Sequence, residues 1–243
     1  HWFNTNKREY MIVIPDIHGR TFWRKTVEEH ENEKIIFLGD YTDPYPHEGV
    51  DYWEGLFALR DVIDFKKRHM DNVVMLLGNH DLSYISDCLP SCRHDDENHD
   101  EIKNLIKANL LLFDIAHEEK VGSKRVVFSH AGIHPEWLKE NEMLFGNIRP
   151  DDMVHTINRM FHKGQLYTAL GDVSWQRGGF LDVGSCVWAD LEEFMEILPS
   201  HLPDCYQIFG HTQFSKPVIT EWFACIDCHS AFMLDDDMNF GKL

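Results

Sequence analysis

No apolar run in this 243-residue chain approaches the roughly 18–20 residues that a membrane-spanning helix needs. The longest pieces are short, such as Val73–Leu77 and Leu110–Phe113. Positive charge is scarce: 23 Lys and Arg stand against 41 Asp and Glu, for a net charge of −18. Such a field repels nucleic-acid backbones and anionic lipid surfaces, so neither is expected as a partner. Cysteine is sparse too. Six (Cys88, Cys92, Cys186, Cys205, Cys225 and Cys228) are too few to staple a chain of this length. Residues 1–10 are polar, do not begin with Met, and lack the apolar core of a signal peptide; they read as an extension or a tag remnant. Reduced thiols and a cytoplasmic location are the expectation. There is no internal repeat and no linker rich in Pro, Gly or Ser, which points to one domain spanning 1–243.

What is present is a core-forming composition, 43% hydrophobic and 12% aromatic, together with 16 histidines. Disorder is excluded by the first pair of numbers. Strand-like runs alternate with amphipathic stretches: strands at Met11–Pro15, Lys34–Leu38, Val73–Leu77 and Arg125–Ser129, helices at Thr21–Glu31, Tyr52–His69 and Glu101–His117. The alternation predicts an α/β fold, a layered sheet with helices on its faces. Further on, helices are expected at Pro135–Asn141, Asp151–Lys163 and Asp190–Leu198. Short strands at Cys205–Phe209, Pro217–Thr220, Phe223–Asp227 and Ala231–Leu234 make an antiparallel finish. Ser83–Asp100 is irregular and reads as a surface insertion.

Five strands end in one kind of chemistry. They run into Asp16-Ile17-His18-Gly19, Gly39-Asp40-Tyr41-Thr42-Asp43, Gly78-Asn79-His80-Asp81, Ser129-His130-Ala131-Gly132 and Gly210-His211-Thr212. Ligands in open α/β sheets bind beyond the carboxyl ends of strands. Any one of these Asp residues, alone, is an ordinary turn residue or cap. Five such sites in one chain are not.

Carboxylate, imidazole and amide oxygen are the donor set of Mn²⁺, Fe²⁺ and Zn²⁺ rather than of a thiolate zinc site. Asp16 and His18 can grasp one ion, Asp40 can bridge two, and Asn79, His130 and His211 can complete the second. Two dications against two carboxylates and a hydroxide leave a hole of about +1, suited to a phosphate dianion.

On these residues the chain resembles the calcineurin-like metallophosphoesterase superfamily, with DIHG, GDYTD, GNHD, SHAG and FGHT in the family's order between residue 12 and about 230. The resemblance implies a four-layer α/β/β/α sandwich and two divalent ions, Mn²⁺ in vitro with Fe or Zn as alternatives. It makes Asp16, His18 and Asp40 ligands of one ion, and Asp40, Asn79, His130 and His211 ligands of the other. His80 matches the general acid for the leaving oxygen, and Asp43 the carboxylate that orients it.

Three departures stand out. Gln213 occupies the position of the second histidine in the GHxH of many family diesterases and nucleases. That looks like the phosphoprotein phosphatase and dinucleoside tetraphosphatase branch, as does SHAGIHPEW. The branch's Arg-Gly after GDxxD is replaced by Pro44-Tyr45-Pro46, and its Trp-Ala-Arg by Trp188-Ala189-Asp190. Two phosphate-binding arginines are thus missing, and Asp190 would repel a substrate if it faced the site. Arg177, in a Gly-flanked turn, and Arg20, after DIHG, are the candidate replacements, because a guanidinium pairs bidentately with phosphate oxygens.

Three functions remain open. The first is a phosphomonoesterase acting on a phosphorylated protein or small molecule. The second is a hydrolase of dinucleoside polyphosphates or diesters, and the third a scaffold that has lost turnover. Weaker signals read as structural: Cys225 and Cys228 at i and i+3 of a strand face opposite sides, and Cys88, Cys92, His94 and His99 match no zinc template. His229 is expected to be hydrogen-bonded or exposed, and Asp81 to cap the following helix.

Overall fold

Strand β1 (Tyr10–Ile14) shows how the sequence builds the layers: Ile12 and Ile14 pack on one face of it and Val13 on the other. This two-residue period repeats in β2 (Lys34–Phe37) and β3 (Val73–Leu76). Ile35, Phe37, Val73 and Met75 join Ile12 and Ile14 against helices, while Ile36 and Leu76 join Val13. The helices following these strands are α1 (Phe22–Glu29), α2 (Tyr52–Arg68), α3 (Asn79–Ser83) and α4 (His99–Ala108). Trp23, Val27, Leu56, Leu59, Ile102 and Ile106 are their contribution to the core. Each large side chain removed from water in this way stabilises the fold by roughly 1.5–3 kcal/mol. Helix α2 starts where the Asp51 N–H donates to Glu54 Oε2 at 2.9 Å, and ends on Lys66, Lys67 and Arg68, which complement its carbonyl end.

The computed structural model describes residues 10–91, 93–146, 148–195, 202 and 204–243. Strands β4 (Phe113–Asp114), β10 (Phe232–Asp235) and β11 (Phe240–Lys242) complete a sheet of order β11-β10-β1-β2-β3-β4. β1 to β4 are parallel in it, and β10 and β11 form an antiparallel edge. The second sheet has the order β5-β6-β7-β9-β8, from β5 (Ala116–Val121), β6 (Lys124–Ser129), β7 (Tyr206–Phe209), β8 (Val218–Ile219) and β9 (Phe223–Cys225). Val13, Ile36, Leu38 and Leu76 of the first sheet meet Val126, Phe128, Ile208 and Ala224 of the second. On the far side, Val127 shares a core with Ile157 and Phe161 of the helix Met153–His162. The result is the expected α/β/β/α sandwich.

Several expectations need correction. The helix expected over 101–117 stops at Ala108, and the chain then enters β4 and β5. Phe113 pairs with Met75 and Asp114 with Leu76, so edge pairing outweighs the helical spacing of Leu110 and Phe113. The finish is mixed rather than antiparallel, because β7 runs parallel to both β6 and β9. The helix expected over 190–198 is described as Leu191–Met195; Asp190 precedes it, and 196–198 lie outside the described residues. Cys92 also lies outside them. The segment 83–100 is anchored inward at Asp95 and Asn98: both are buried, and Asp95 N donates to Asp43 Oδ1 at 3.2 Å.

Candidate metal centre

The register of the parallel strands gathers the motif residues. Ile14, Phe37 and Met75 are aligned across β1, β2 and β3, so Asp16, Asp40 and Asn79 emerge from one rim of the first sheet. Phe128 and Ile208 are aligned across β6 and β7, which brings His130 and His211 out beside them from the second. The rim expected from a single row of strands is therefore assembled by two facing sheets. Ligand atoms of Asp16, Asp40, His130 and His211 lie within 4.8 Å of one another, as do those of His18, Asp40 and His80. Asp40 belongs to both groups. Asn79 Oδ1 is 3.0 Å from His130 Nε2, and His18 Nε2 is 3.5 Å from Asp40 Oδ2.

Backbone shape makes this convergence possible. His18, Asp40, Asp43 and His211 all have positive φ, between 45° and 64°, a region that costs a non-glycine residue roughly 1–2 kcal/mol. Two glycines leave room for the carboxylates. A Cβ on Gly78 would overlap the Asp40 carboxylate and lie 2.8 Å from the Asp40 nitrogen, and one on Gly210 would overlap Asp16 Oδ1. Asp81, expected as a helix cap, has a second task. Its carboxylate accepts from Gly78 N at 2.9 Å, and also from Asp40 N at 2.7 Å and Tyr41 N at 3.0 Å. It thereby ties the Asp40 turn to the start of α3. Burial and the Asp40 charge push its pKa up to about 7.

The donor chemistry fits a cation. His18 Nδ1–H donates to Thr42 O at 2.7 Å and His130 Nδ1–H to Leu38 O at 3.0 Å. Backbone partners of this kind fix the tautomer and turn the Nε2 lone pair inward. Lone pairs of Asp16, Asp40, Asn79, His18 and His130 then face one another, an arrangement that only a proton or a metal ion satisfies. Without a cation the protonation equilibria are distorted accordingly. Burial raises the pKa of Asp16. It works against His130 too, but Asp40 and Asp16 carry that imidazole up to about 9. Burial lowers His18 and His211 well below the usual histidine range, and Arg93 and Arg177 add to the effect at His18 and His211 respectively. Asp40 stays far below the usual carboxylate range because His130, His80 and His18 outweigh its burial.

His80 Nδ1 and Asp43 Oδ2 are 2.8 Å apart, and both residues are buried. Asp43 Oδ1 accepts from the Tyr84 hydroxyl and from Asp95 N, the latter at 3.2 Å.

The structure places both candidate arginines at the rim, each neutralised by a carboxylate. Arg20 forms a bidentate pair with Glu48 (Nε–Oε2 2.7 Å, Nη2–Oε1 2.8 Å). Arg177 Nε is 2.7 Å from Asp190 Oδ2, and its Nη2 donates to Thr212 Oγ1 at 2.6 Å. The charge of Asp190 is thus compensated. A residue that sequence reasoning missed, Arg93, stacks on Tyr45 with Cζ 3.6 Å from the ring centroid, and its Nε donates to Asp43 O at 2.9 Å.

Gln213 Nε2 donates to His229 Nε2. The Cys225 thiol donates to the carbonyls of Gly210 and Thr212, so that cysteine is structural.

The model of the calcineurin-like phosphoesterase family matches residues 11–213, the span that contains every motif above. The chain belongs to the calcineurin-like phosphoesterase family. Membership implies phosphoester hydrolase activity on phosphorylated substrates, in a family that depends on divalent metal ions. Among solved structures it is similar to the cold-active protein-tyrosine phosphatase of a psychrophile, Shewanella sp., at 12% identity and TM-score 0.57. That match covers 97% of this chain and 80% of the other. A further structure of a cold-active protein tyrosine phosphatase matches at 14% identity and TM-score 0.55, covering 97% and 79%. An archaeal phosphodiesterase matches at 14% identity and TM-score 0.38, covering 96% and 98%. At such identities the likeness concerns the fold. No curated protein sequence matches the chain. Among the described residues no helix is long and apolar enough to cross a membrane.

Proposed function

We propose that this family member is a phosphomonoesterase with two divalent ions, one held by Asp16, His18 and Asp40 and the other by Asp40, Asn79, His130 and His211. The observation that carries it is Asp40, which belongs to both clusters of close ligand atoms, Asp16-Asp40-His130-His211 and His18-Asp40-His80, with His18 Nε2 4.0 Å from Asp16 Oδ2. The ions, when bound, supply Lewis acidity and make a water nucleophilic near neutral pH. The remaining chemistry falls to side chains. His80 protonates the leaving oxygen through Nε2, the nitrogen not engaged by Asp43. Asp43 keeps the ring aimed, and the buried setting strengthens that pairing. Arg177 and Arg20 contribute positive potential at the two edges of the site, each tempered by its carboxylate partner.

A panel with Mn²⁺ added tests this function: p-nitrophenyl phosphate, bis-p-nitrophenyl phosphate, a phosphotyrosyl peptide and a dinucleoside tetraphosphate. Turnover of the monoester and the peptide, with two ions per chain by metal analysis, is the expected result. Preference for the diester or the nucleotide would move the assignment to the alternative hydrolase. Absence of all turnover from a fully loaded protein would leave a binding scaffold.

A further inference from the structure

We infer that Arg93 binds the phosphoryl group of the substrate from the side of the general acid, and that segment 83–100 exists in this fold to deliver it. The inference rests on the phosphoester-hydrolase reading of the same site.

Position comes first. The guanidinium carbon of Arg93 lies 3.6 Å from the centre of the Tyr45 ring, which in turn meets His18 edge-on at 5.1 Å. Its Nε donates to the carbonyl of Asp43, so it is fixed to the residue that orients His80. Nη2 comes within 3.4 Å of His18 Nδ1, but that nitrogen already gives its proton to Thr42 O and cannot accept another. His18 therefore takes no proton from Nη2, which stands at the edge of the ligand cluster.

Charge is the second argument. Arg20 and Arg177 are compensated by Glu48 and Asp190. Among the described residues no carboxylate forms an ion pair with Arg93. The charge sits half-buried beside His18, where a cation repels both a protonated imidazole and a metal ion. A chain of net charge −18 had ample carboxylates with which to neutralise it. An anion spanning the ligand cluster and the guanidinium removes the repulsion from both sides at once, and a phosphate dianion has the oxygens to do so.

Rigidity is the third. Tyr84 donates to Asp43, Asp95 N donates to the Tyr84 hydroxyl at 2.9 Å, and His94 stacks on Tyr84 with centroids 4.1 Å apart. His94 and Asp95, the two residues after Arg93, are thus fixed against Tyr84, which lowers the ordering cost of binding. No strand-end motif contains Arg93, and it lies fifty residues from the Asp43 it touches.

The test compares wild type, Arg93→Ala and Arg93→Gln, all loaded with Mn²⁺, by titration calorimetry with inorganic phosphate and by kinetics on p-nitrophenyl phosphate and an alkyl phosphate. Glutamine keeps a donor for Asp43 O and removes the charge, so it carries the test if alanine disturbs folding or metal content. The expected result for both variants is wild-type metal content and phosphate affinity lowered about tenfold to about a hundredfold. kcat/KM should fall equally for the good and the poor leaving group. Phosphate affinity within about threefold of wild type in Arg93→Gln overturns the inference. So does a loss confined to the poor leaving group, which would reduce Arg93 to a prop for Asp43. If loaded wild type neither binds phosphate nor hydrolyses any ester, the function itself fails, an outcome distinguishable from a failure of Arg93 alone.

Discussion

His80 and Asp43 are joined by a 2.8 Å hydrogen bond in which the imidazole Nδ1–H donates and Oδ2 accepts, and Asp43 is fully buried. Asp43 itself lies in the left-handed region, at φ 57°, and its Oδ1 takes donors from 41 and 52 residues away. A carboxylate with both oxygens occupied is a fixed hydrogen-bond partner for the imidazole.

His80→Asn should therefore keep both ions and lose activity in proportion to how badly the leaving group departs. A positioned acid contributes about 10²–10⁴-fold, and the full loss is expected on alkyl phosphates. On p-nitrophenyl phosphate, whose leaving group needs no proton, the loss should be far smaller. Log kcat plotted against leaving-group pKa checks this. A parallel drop across the series would remove the acid role.

Tyr84→Phe deletes one of the donors on Asp43 and leaves the other, Asp95 N, in place. A hydrogen bond to a carboxylate contributes about 1.5–3 kcal/mol, so roughly a tenfold to hundredfold loss on poor leaving groups is expected. The hydroxyl acts only through His80. In the double variant with His80→Asn its effect should vanish, and an additive double variant would refute the relay.

Gly78→Ala probes the approach of the Asp40 carboxylate to the backbone. The added methyl overlaps that carboxylate and stands 2.8 Å from the Asp40 nitrogen, so the bridging ligand has to move. Disturbing the support of a ligand typically costs about 10–100-fold in metal affinity. Calorimetric titration with Mn²⁺ should show that loss, while the far-UV spectrum stays that of the wild type.

Much of this was readable along the chain, because a buried parallel strand is a short apolar run and its functional carboxyl end is a sudden change to Gly, Asp, Asn and His. Ile12–Ile14 into Asp16 and Ile35–Phe37 into Asp40 are such transitions. Elsewhere the local pattern misled. Leu110 and Phe113 keep helical spacing beyond Asn109, yet pairing with Met75 takes Phe113 into a strand, a non-local gain invisible in a window of neighbours. Positive φ at His18, Asp40, Asp43 and His211 left no mark either, since none of them is glycine. Arg93 sits in no strand-end motif, and its relevance arises only when the fold brings it over Tyr45.

Chelation offers a test that needs no substrate. Asp16 and Asp40 are buried carboxylates facing each other, and burial alone already raises the pKa of Asp16. Each ion that binds the folded chain only, at about a hundred times its dissociation constant, adds about 2.7 kcal/mol of stability, so the two add about 5.4 kcal/mol. For a chain of this length that corresponds to roughly 11–22 °C in Tm. EDTA should lower Tm by that amount and Mn²⁺ should restore it. In Asp40→Asn the difference between the two conditions should shrink to near zero. An EDTA effect that persists undiminished in Asp40→Asn would place the stabilising ion elsewhere.

Where the chain leaves the first sheet for the second, a single side chain stands in for a missing strand. Asn158 Oδ1 accepts from Ile115 N at 3.0 Å and Ala116 N at 3.1 Å, and its Nδ2 donates to Ala116 O at 2.7 Å. Ile115 and Ala116 are fully buried, so water cannot replace those partners. Each backbone group stranded in Asn158→Ala costs about 1–3 kcal/mol, partly recovered by relaxation. A total near 3 kcal/mol is expected, or about 6–12 °C in Tm. Urea unfolding should show a lower midpoint with an unchanged slope, because the same surface is exposed on unfolding. Metal stoichiometry should not change, since Asn158 touches no ligand. A shift below about 1 °C would mean that the passage between the sheets is held by the flanking strands alone, through the pairs of Phe113 with Met75 and Ala116 with Ser129.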